Sequence, residues 1–273
     1  MEPLKELALF AYYWADKTCS EDCRSYHKNW SMIRYLDLDS QLPHHADYFI
    51  KKIQEYSQKK ATISILISGS ADTGLLAVVL HSIKHLHIPV EITLVDRCQT
   101  VLLQNQLFAQ FSQINIKTIQ LDILKLDEVN FDLILAHSFI NFFQATEHKK
   151  LFNKWHSLLK LGGQVLINNK SITEVLDSRT ISKPTIEKKL LEVQKKISAE
   201  FLPENISSSI SDFWTNQPLR HQIHHEDLLL AIKECEFKVR DHTMIDKDVS
   251  GPMASRYTSQ KRVTNLMTLE RQV

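Results

Sequence analysis

The sequence predicts an α/β protein built on a doubly wound, mostly parallel sheet, with an N-terminal helical cap and a helical insertion. Three observations predict it. Short, nearly unbroken apolar runs at 63–67, 91–95 and 131–136 alternate with helix-length segments, as strands do when both faces of a parallel sheet are covered. Each run stops at a polar or glycine residue: Ser68-Gly69, Asp96 and His137. The first run passes into Gly69-Ser-Ala-Asp-Thr-Gly74, a glycine-bounded turn that opens an apolar helix.

The elements follow in order. Leu4, Leu7, Leu9, Phe10, Tyr13 and Trp14 recur at mixed three- and four-residue spacing and predict a first helix. A second helix is expected over 21–36 and a third after Pro43, so residues 1–57 read as the cap. The larger domain, 58–273, then alternates strand 63–67, helix 75–83, strand 91–95, helix 100–111, strand 114–121, strand 131–136 and helix 147–159. Gly162-Gly163 turns the chain into a strand at 164–168. Residues 171–222 break the rhythm and read as a helical lid. There Lys188, Lys189, Lys195 and Lys196 interleave with Leu190, Leu191, Val193 and Ile197, a helix with a solvated face. A helix at 227–235 and strands at 236–245 and 263–270 complete the chain.

Composition narrows the classes of function. In 273 residues, 33 Lys+Arg against 32 Asp+Glu leave a net charge of +1, which gives no global field to draw in nucleic acid or an anionic membrane. Hydrophobic residues at 43% and charged residues at 24% exclude wholesale disorder. Cysteines at 19, 23, 98 and 235 are too sparse for a disulfide scaffold. The apolar run at 7–15 follows Glu2 and Glu6 and leads to no small-residue cleavage site, so no signal peptide is expected. The stretch 61–83 carries Asp72 at its centre, flanked by Gly69 and Gly74, and reads as strand, turn and helix rather than a membrane span. A cytoplasmic, reducing location is expected, with a small-molecule substrate, no nucleic acid and no membrane; oligomeric state is not legible.

The loop has the pattern G-x-A-x-x-G, one substitution from the dinucleotide fingerprint. Ala71 stands where a glycine lets a pyrophosphate touch the backbone, and Asp72 adds negative charge beside it. Both disfavour a pyrophosphate, and neither disfavours a phosphate-free ligand with a positive centre. Asp96, 22 residues beyond Gly74, ends the second strand where a carboxylate can accept from both ribose hydroxyls. Asp122, followed by Ile123, ends the third, a place to meet an adenine edge and face. Three acids at successive strand ends lie on the edge where such sheets bind ligands.

With these residues the chain resembles the class I S-adenosylmethionine-dependent methyltransferases, over about 60–170 and the final two strands. The resemblance implies a Rossmann-like sheet ending in an antiparallel strand pair, S-adenosyl-L-methionine as cofactor, and methyl transfer to an unidentified, small-molecule acceptor. It implies that Ser68, Gly69, Ser70, Ala71, Asp72 and Gly74 cradle the methionine part. Asp96 and Arg97 would hold the ribose, Asp122 and Ile123 would contact adenine, and His137 would lie near the transferred methyl. Phe131-Asp-Leu-Ile-Leu-Ala-His137 looks like the family's fourth strand, and Leu158-Leu-Lys-Leu-Gly-Gly163 like the turn before its fifth. The usual family loop is G-x-G-x-G, whereas this one has Ala71 and an extra residue, and Ser68 replaces a common acid. The segment from Cys23 to Arg34 resembles the cap of a little-characterised bacterial branch.

On the acceptor side, Tyr26 and Trp30 are four apart and share a helix face, with His27 beside them. They are expected to form a lid over the cofactor, with His27 as catalytic base, Tyr26 lining the pocket and His137 in reserve. Cys19, Cys23 and His27 also share a face, but without a C-x-x-C pair or a fourth ligand they read as a buried helix face, and no metal is expected. His221, His224 and His225 precede Glu226 and Asp227, which fit the first turn of a helix better than a metal site. Two rival readings are an NAD(P)-dependent enzyme and a non-catalytic nucleoside-binding interaction protein. No G-x-S-x-G or P-loop lysine motif supports a hydrolase or kinase.

Overall fold

A computed structural model of the chain describes residues 4–38, 41–58, 60–127, 130–173, 223–245 and 262–272, with scattered positions between 187 and 210. Its strands are β1 Ile63–Ser68, β2 Val90–Asp96, β3 Lys117–Gln120, β4 Phe131–His137, β5 Leu159–Ile172, β6 Phe237–Ile245 and β7 Arg262–Arg271. Its helices are α1 Leu4–Thr18, α2 Glu21–Tyr35, α3 Gln41–Ser57, α4 Gly74–Ile83, α5 Gln99–Phe111, α6 Ala145–Leu158 and α7 His225–Glu234. The strands make one seven-stranded sheet in the order β3-β2-β1-β4-β5-β7-β6. β1 pairs in parallel with β2 and β4, β2 with β3, and β4 with β5, while β7 runs antiparallel to both β5 and β6. The fold is the expected Rossmann-like one with its antiparallel closing pair. Strand order reverses between β1 and β4, which puts the ligand crevice beyond the carboxyl ends of these two strands.

The apolar strands are buried because both faces are covered. On one face Ile63, Ile65, Ile67, Leu133 and Leu135 meet Phe49 and Ile53 of α3, Leu75, Leu76 and Val79 of α4, and Leu102 and Phe108 of α5. On the other, Leu66, Ile134, Ala136, Val165 and Ile167 meet Leu151, Phe152 and Trp155 of α6 with Leu228 and Ile232 of α7. Thus α3 is a direct covering layer of the sheet. Its Pro43 falls in the first turn, where a missing N–H costs no intrahelical bond. Glu226 and Asp227 occupy the first turn of α7, as expected. No helix among the described residues is long and apolar enough to cross a membrane.

Two strands differ from expectation. β3 covers only 117–120 instead of 114–121, because α5 ends in a turn that uses Gln113 at φ 55 and sends the Ile114 N–H to the Ala109 carbonyl, 2.9 Å away. β5 begins at Leu159, directly after α6, instead of at 164. Gly162, at φ 73, absorbs a register shift, so Phe131 pairs with Leu159 while Leu133 pairs with Gln164. The lysine-rich helix expected near 188–197 lies largely outside the described residues, and so does His221. Described positions of that segment rest on α2 and its C-terminal turn. Ile206 and Ile210 are buried with Met32, Ile33 and Leu36, and Lys196 Nζ donates to the Leu36 and Asp37 carbonyls at 2.7 Å.

Candidate active site

β1 delivers the chain to Gly69, which turns at φ 72 and donates its N–H to the Val95 carbonyl at 2.9 Å. A Cβ there would also lie 2.1 Å from the Phe139 ring, so both the dihedral and the close approach require glycine. Phe139 comes from the turn after β4, and its ring packs between Gly69 and Trp155. Ser70 and Ala71 are half-buried beyond it. The Ser70 N–H donates to Asp96 Oδ2 at 3.0 Å and its hydroxyl donates to the Asp72 carbonyl at 2.5 Å.

Asp72 is buried, and its oxygens are occupied by the protein itself. Oδ1 accepts from the Gly74 N–H at 2.6 Å, at the start of α4. Oδ2 accepts from Trp30 Nε1 at 2.8 Å and from Arg34 Nε, both on α2. Burial pushes this carboxyl up, but the Arg34 charge and the hydrogen bonds from Arg34, Gly74 and Trp30 outweigh it and hold it below the usual carboxylate range. The Asp72 charge, which left room for a ligand with a positive centre, is therefore neutralised by Arg34. The N-terminus of α4, the usual seat of a pyrophosphate, has a carboxylate of the chain in place.

Asp96 is half-buried at the end of β2. Its oxygens accept one backbone N–H each, from Ser70 at 3.0 Å and from Cys98 at 2.7 Å. A carboxylate has about four acceptor sites, so two are left for hydroxyl donors such as those of a ribose. Burial pushes this group up, and the two N–H bonds and His27 only partly offset it. The exposed Arg97 lies 3.8 Å from Asp22 on α2. Asp122 caps a 3₁₀ turn by accepting from the Leu124 N–H at 3.0 Å, and Ile123 is buried in the core cluster with Trp155. Ser68 is fully buried and accepts from Trp155 Nε1 at 2.9 Å. The Ser68 and Ile123 side chains are thus both buried in the core.

α2 spans the carboxyl edge and touches the turns after β1, β2 and β4. Tyr26 stacks on Trp30 with ring centres 6.2 Å apart and meets the edge of Phe142 at 5.6 Å. His27 stands beside this pair on α2. It is buried, it contacts the Cys23 and Cys98 thiols, and although burial alone would lower it, those thiols and the Asp96 charge push it up to about 10. His137 is half-buried, with its ring 5.7 Å from His45 and 6.2 Å from Phe49. Sequence reasoning missed Arg34, Phe139 and Cys98. Arg34 alone left a signal, standing four residues beyond Trp30 on the same helix face.

Residues 69–167 match the family model of a methyltransferase domain. That match places a methyltransferase domain over residues 69–167, and the sheet topology is the fold of S-adenosylmethionine-dependent methyltransferases of known structure. Among solved structures, the chain is similar to geranyl diphosphate methyltransferase in complex with S-adenosylmethionine, at TM-score 0.56 and 8% identity over 95% of this chain and 94% of that one. A methyltransferase from Methanosarcina mazei matches at TM-score 0.52 and 13% identity, over 81% of this chain and 97% of that one. A cyclopropane synthase from Mycobacterium tuberculosis matches at 0.53 and 11%, over 82% and 83%. Identities this low show the shared fold. No curated protein sequence matches the chain.

Proposed function

We propose that the protein transfers a methyl group from S-adenosylmethionine to a small-molecule acceptor held between the carboxyl edge of the sheet and α2. The observation that carries this reading is how the two carboxylates are partnered. Asp72 fills the anion position at the start of α4, which argues against the pyrophosphate of NAD(P), whereas Asp96 keeps acceptor capacity beside the loop. In this reading Gly69, Ser70, Ala71 and Gly74 shape the methionine cradle, Asp96 accepts from the ribose hydroxyls with Arg97 alongside, and Asp122 stands at the adenine end. The bound cofactor supplies an activated methyl on a sulfonium. The chain supplies alignment, exclusion of water and, where the acceptor carries a proton, a base.

Tyr26, Trp30 and Phe142 give electron-rich rings near the loop, which suit a cationic sulfonium. His137, at the end of β4, is the base to test. The net charge near zero and the four free thiols support a reducing, cytoplasmic compartment, with neither nucleic acid nor membrane as partner.

Thermal unfolding with added ligand tests the reading. S-adenosylhomocysteine is expected to stabilise the fold, by roughly 2.7 kcal/mol at a hundred times its Kd, while NAD leaves it unchanged. A shift with NAD alone would overturn it. Once an acceptor is found, His137→Ala should cut turnover about a hundredfold with S-adenosylhomocysteine affinity intact. Near-normal turnover would leave alignment alone as the source of rate.

A further inference from the structure

We propose that Cys19, Cys23, His27 and Cys98 form a tetrahedral Zn²⁺ site that staples the N-terminal helices to the turn carrying Asp96. The four residues come from three places in the fold. Cys19 lies in the link between α1 and α2, Cys23 and His27 lie one turn apart on α2, and Cys98 caps the start of α5. The three sulfurs all lie within 4.8 Å of one another, and those of Cys19 and Cys98 are 3.3 Å apart. A Zn–S bond of about 2.3 Å in a tetrahedron spaces sulfurs about 3.8 Å apart, so this triangle is already near metal-site dimensions. The buried His27 imidazole interacts with the Cys23 and Cys98 sulfurs; its nitrogen lies outside the 4.8 Å group of sulfurs and would complete a Cys₃His set by closing on the metal.

The surroundings are those of a held ligand set. The Thr100 hydroxyl lies 3.0 Å from Cys19 Sγ and 2.7 Å from the Thr18 hydroxyl, an outer hydrogen bond that orients the sulfur. The Cys98 N–H is fixed on Asp96 at 2.7 Å. Three thiolates and a neutral imidazole select Zn²⁺ over hard cations, and four protein ligands leave no open position, so the site is structural. A Cys19–Cys98 disulfide would use two of the sulfurs and leave Cys23 to its contacts with Ser20, at 3.3 Å from the hydroxyl and 3.6 Å from the carbonyl. By binding here, the metal would fix α2 against the residue proposed to hold the ribose, and so set how the lid sits over the cofactor.

The test begins with elemental analysis of the full chain, purified without a metal-affinity resin, followed by chelation and titration with Zn²⁺ against a chromophoric competitor. One Zn²⁺ per chain is expected, and the Co²⁺-loaded protein should show thiolate-to-metal charge transfer with intense tetrahedral d–d bands. Cys235→Ser should keep the full metal content. Cys23→Ser and Cys98→Ser should lose it or bind at least tenfold more weakly. Because such variants can fail to fold, the wild-type result decides by itself. Failure to bind either metal with all four thiols free would overturn the site, and so would a Cys19–Cys98 disulfide found by mass spectrometry.

Discussion

The loop after β1 and the turn after β2 each present a carboxylate, one strand apart on the same edge, and the two are completed differently. Asp72 takes its donors from Arg34, Trp30 and the first turn of α4, so the chain satisfies it. Asp96 takes only two backbone N–H groups among the described residues. At the opposite edge of the sheet, buried Asp132 repeats the first pattern, accepting from the Ser64 N–H at 3.0 Å and Lys160 Nζ at 2.6 Å, with Lys60 at 3.4 Å. The comparison teaches that position at a strand end does not make a carboxylate a ligand group. What matters is whether a cationic side chain of the protein has already claimed it. Asp72 is thus an anchor that fastens the lid helix to the loop, and Asp96 is the group left for a ligand.

The sharpest way to break this contrast is to remove the anchor. Asp72→Ala strands Arg34 and Trp30 against a buried surface, and losing one partner of a buried pair costs about 3–5 kcal/mol. Urea unfolding should show that loss, and a loss under about 1 kcal/mol would mean that the Arg34 pairing anchors nothing. A smaller effect is expected from Gly69→Ala, about 1–3 kcal/mol, because the added methyl meets the Phe139 ring at a φ of 72. Adding Phe139→Ala should recover part of it, and strictly additive effects would remove the close approach as the cause. The smallest effect is in the pH profile. The folded Asp72 carboxyl is held below its unfolded value, so its stabilisation is complete above about pH 4 and is lost as pH falls through the folded value, at about 1.4 kcal/mol per unit of depression. The acid limb of the stability curve should therefore be shallower for Asp72→Asn than for the wild type, and superimposable limbs would contradict the assignment.

The alternation of strands and helices was legible because burial on both faces writes itself as unbroken apolar runs, and β1, β2, β4 and the closing pair lie close to where those runs predicted. The edge strand β3 was overdrawn because the cap of α5 is made by backbone geometry at Gln113, which composition does not record. The three acids at strand ends were visible one by one. Their partners were not, since Arg34 is 38 residues from Asp72 and only the docking of α2 joins them. The same holds for Cys98, 79 residues from Cys19, whose arrival beside α2 makes His27 a partner of thiols. Local spacing finds residues that share a helix face, and it cannot find those that a crossover connection brings to that face.

The affinity of Asp96→Ala for S-adenosylhomocysteine, measured by calorimetry beside the wild type, tests the ribose assignment most directly. Charge-assisted hydrogen bonds to two ribose hydroxyls are worth about 1.5–3 kcal/mol, so binding should weaken about ten- to a hundredfold while the melting temperature of the ligand-free protein moves by only a few degrees. Unchanged affinity in a folded Asp96→Ala protein would contradict the division between anchor and ligand group on which the proposed function rests.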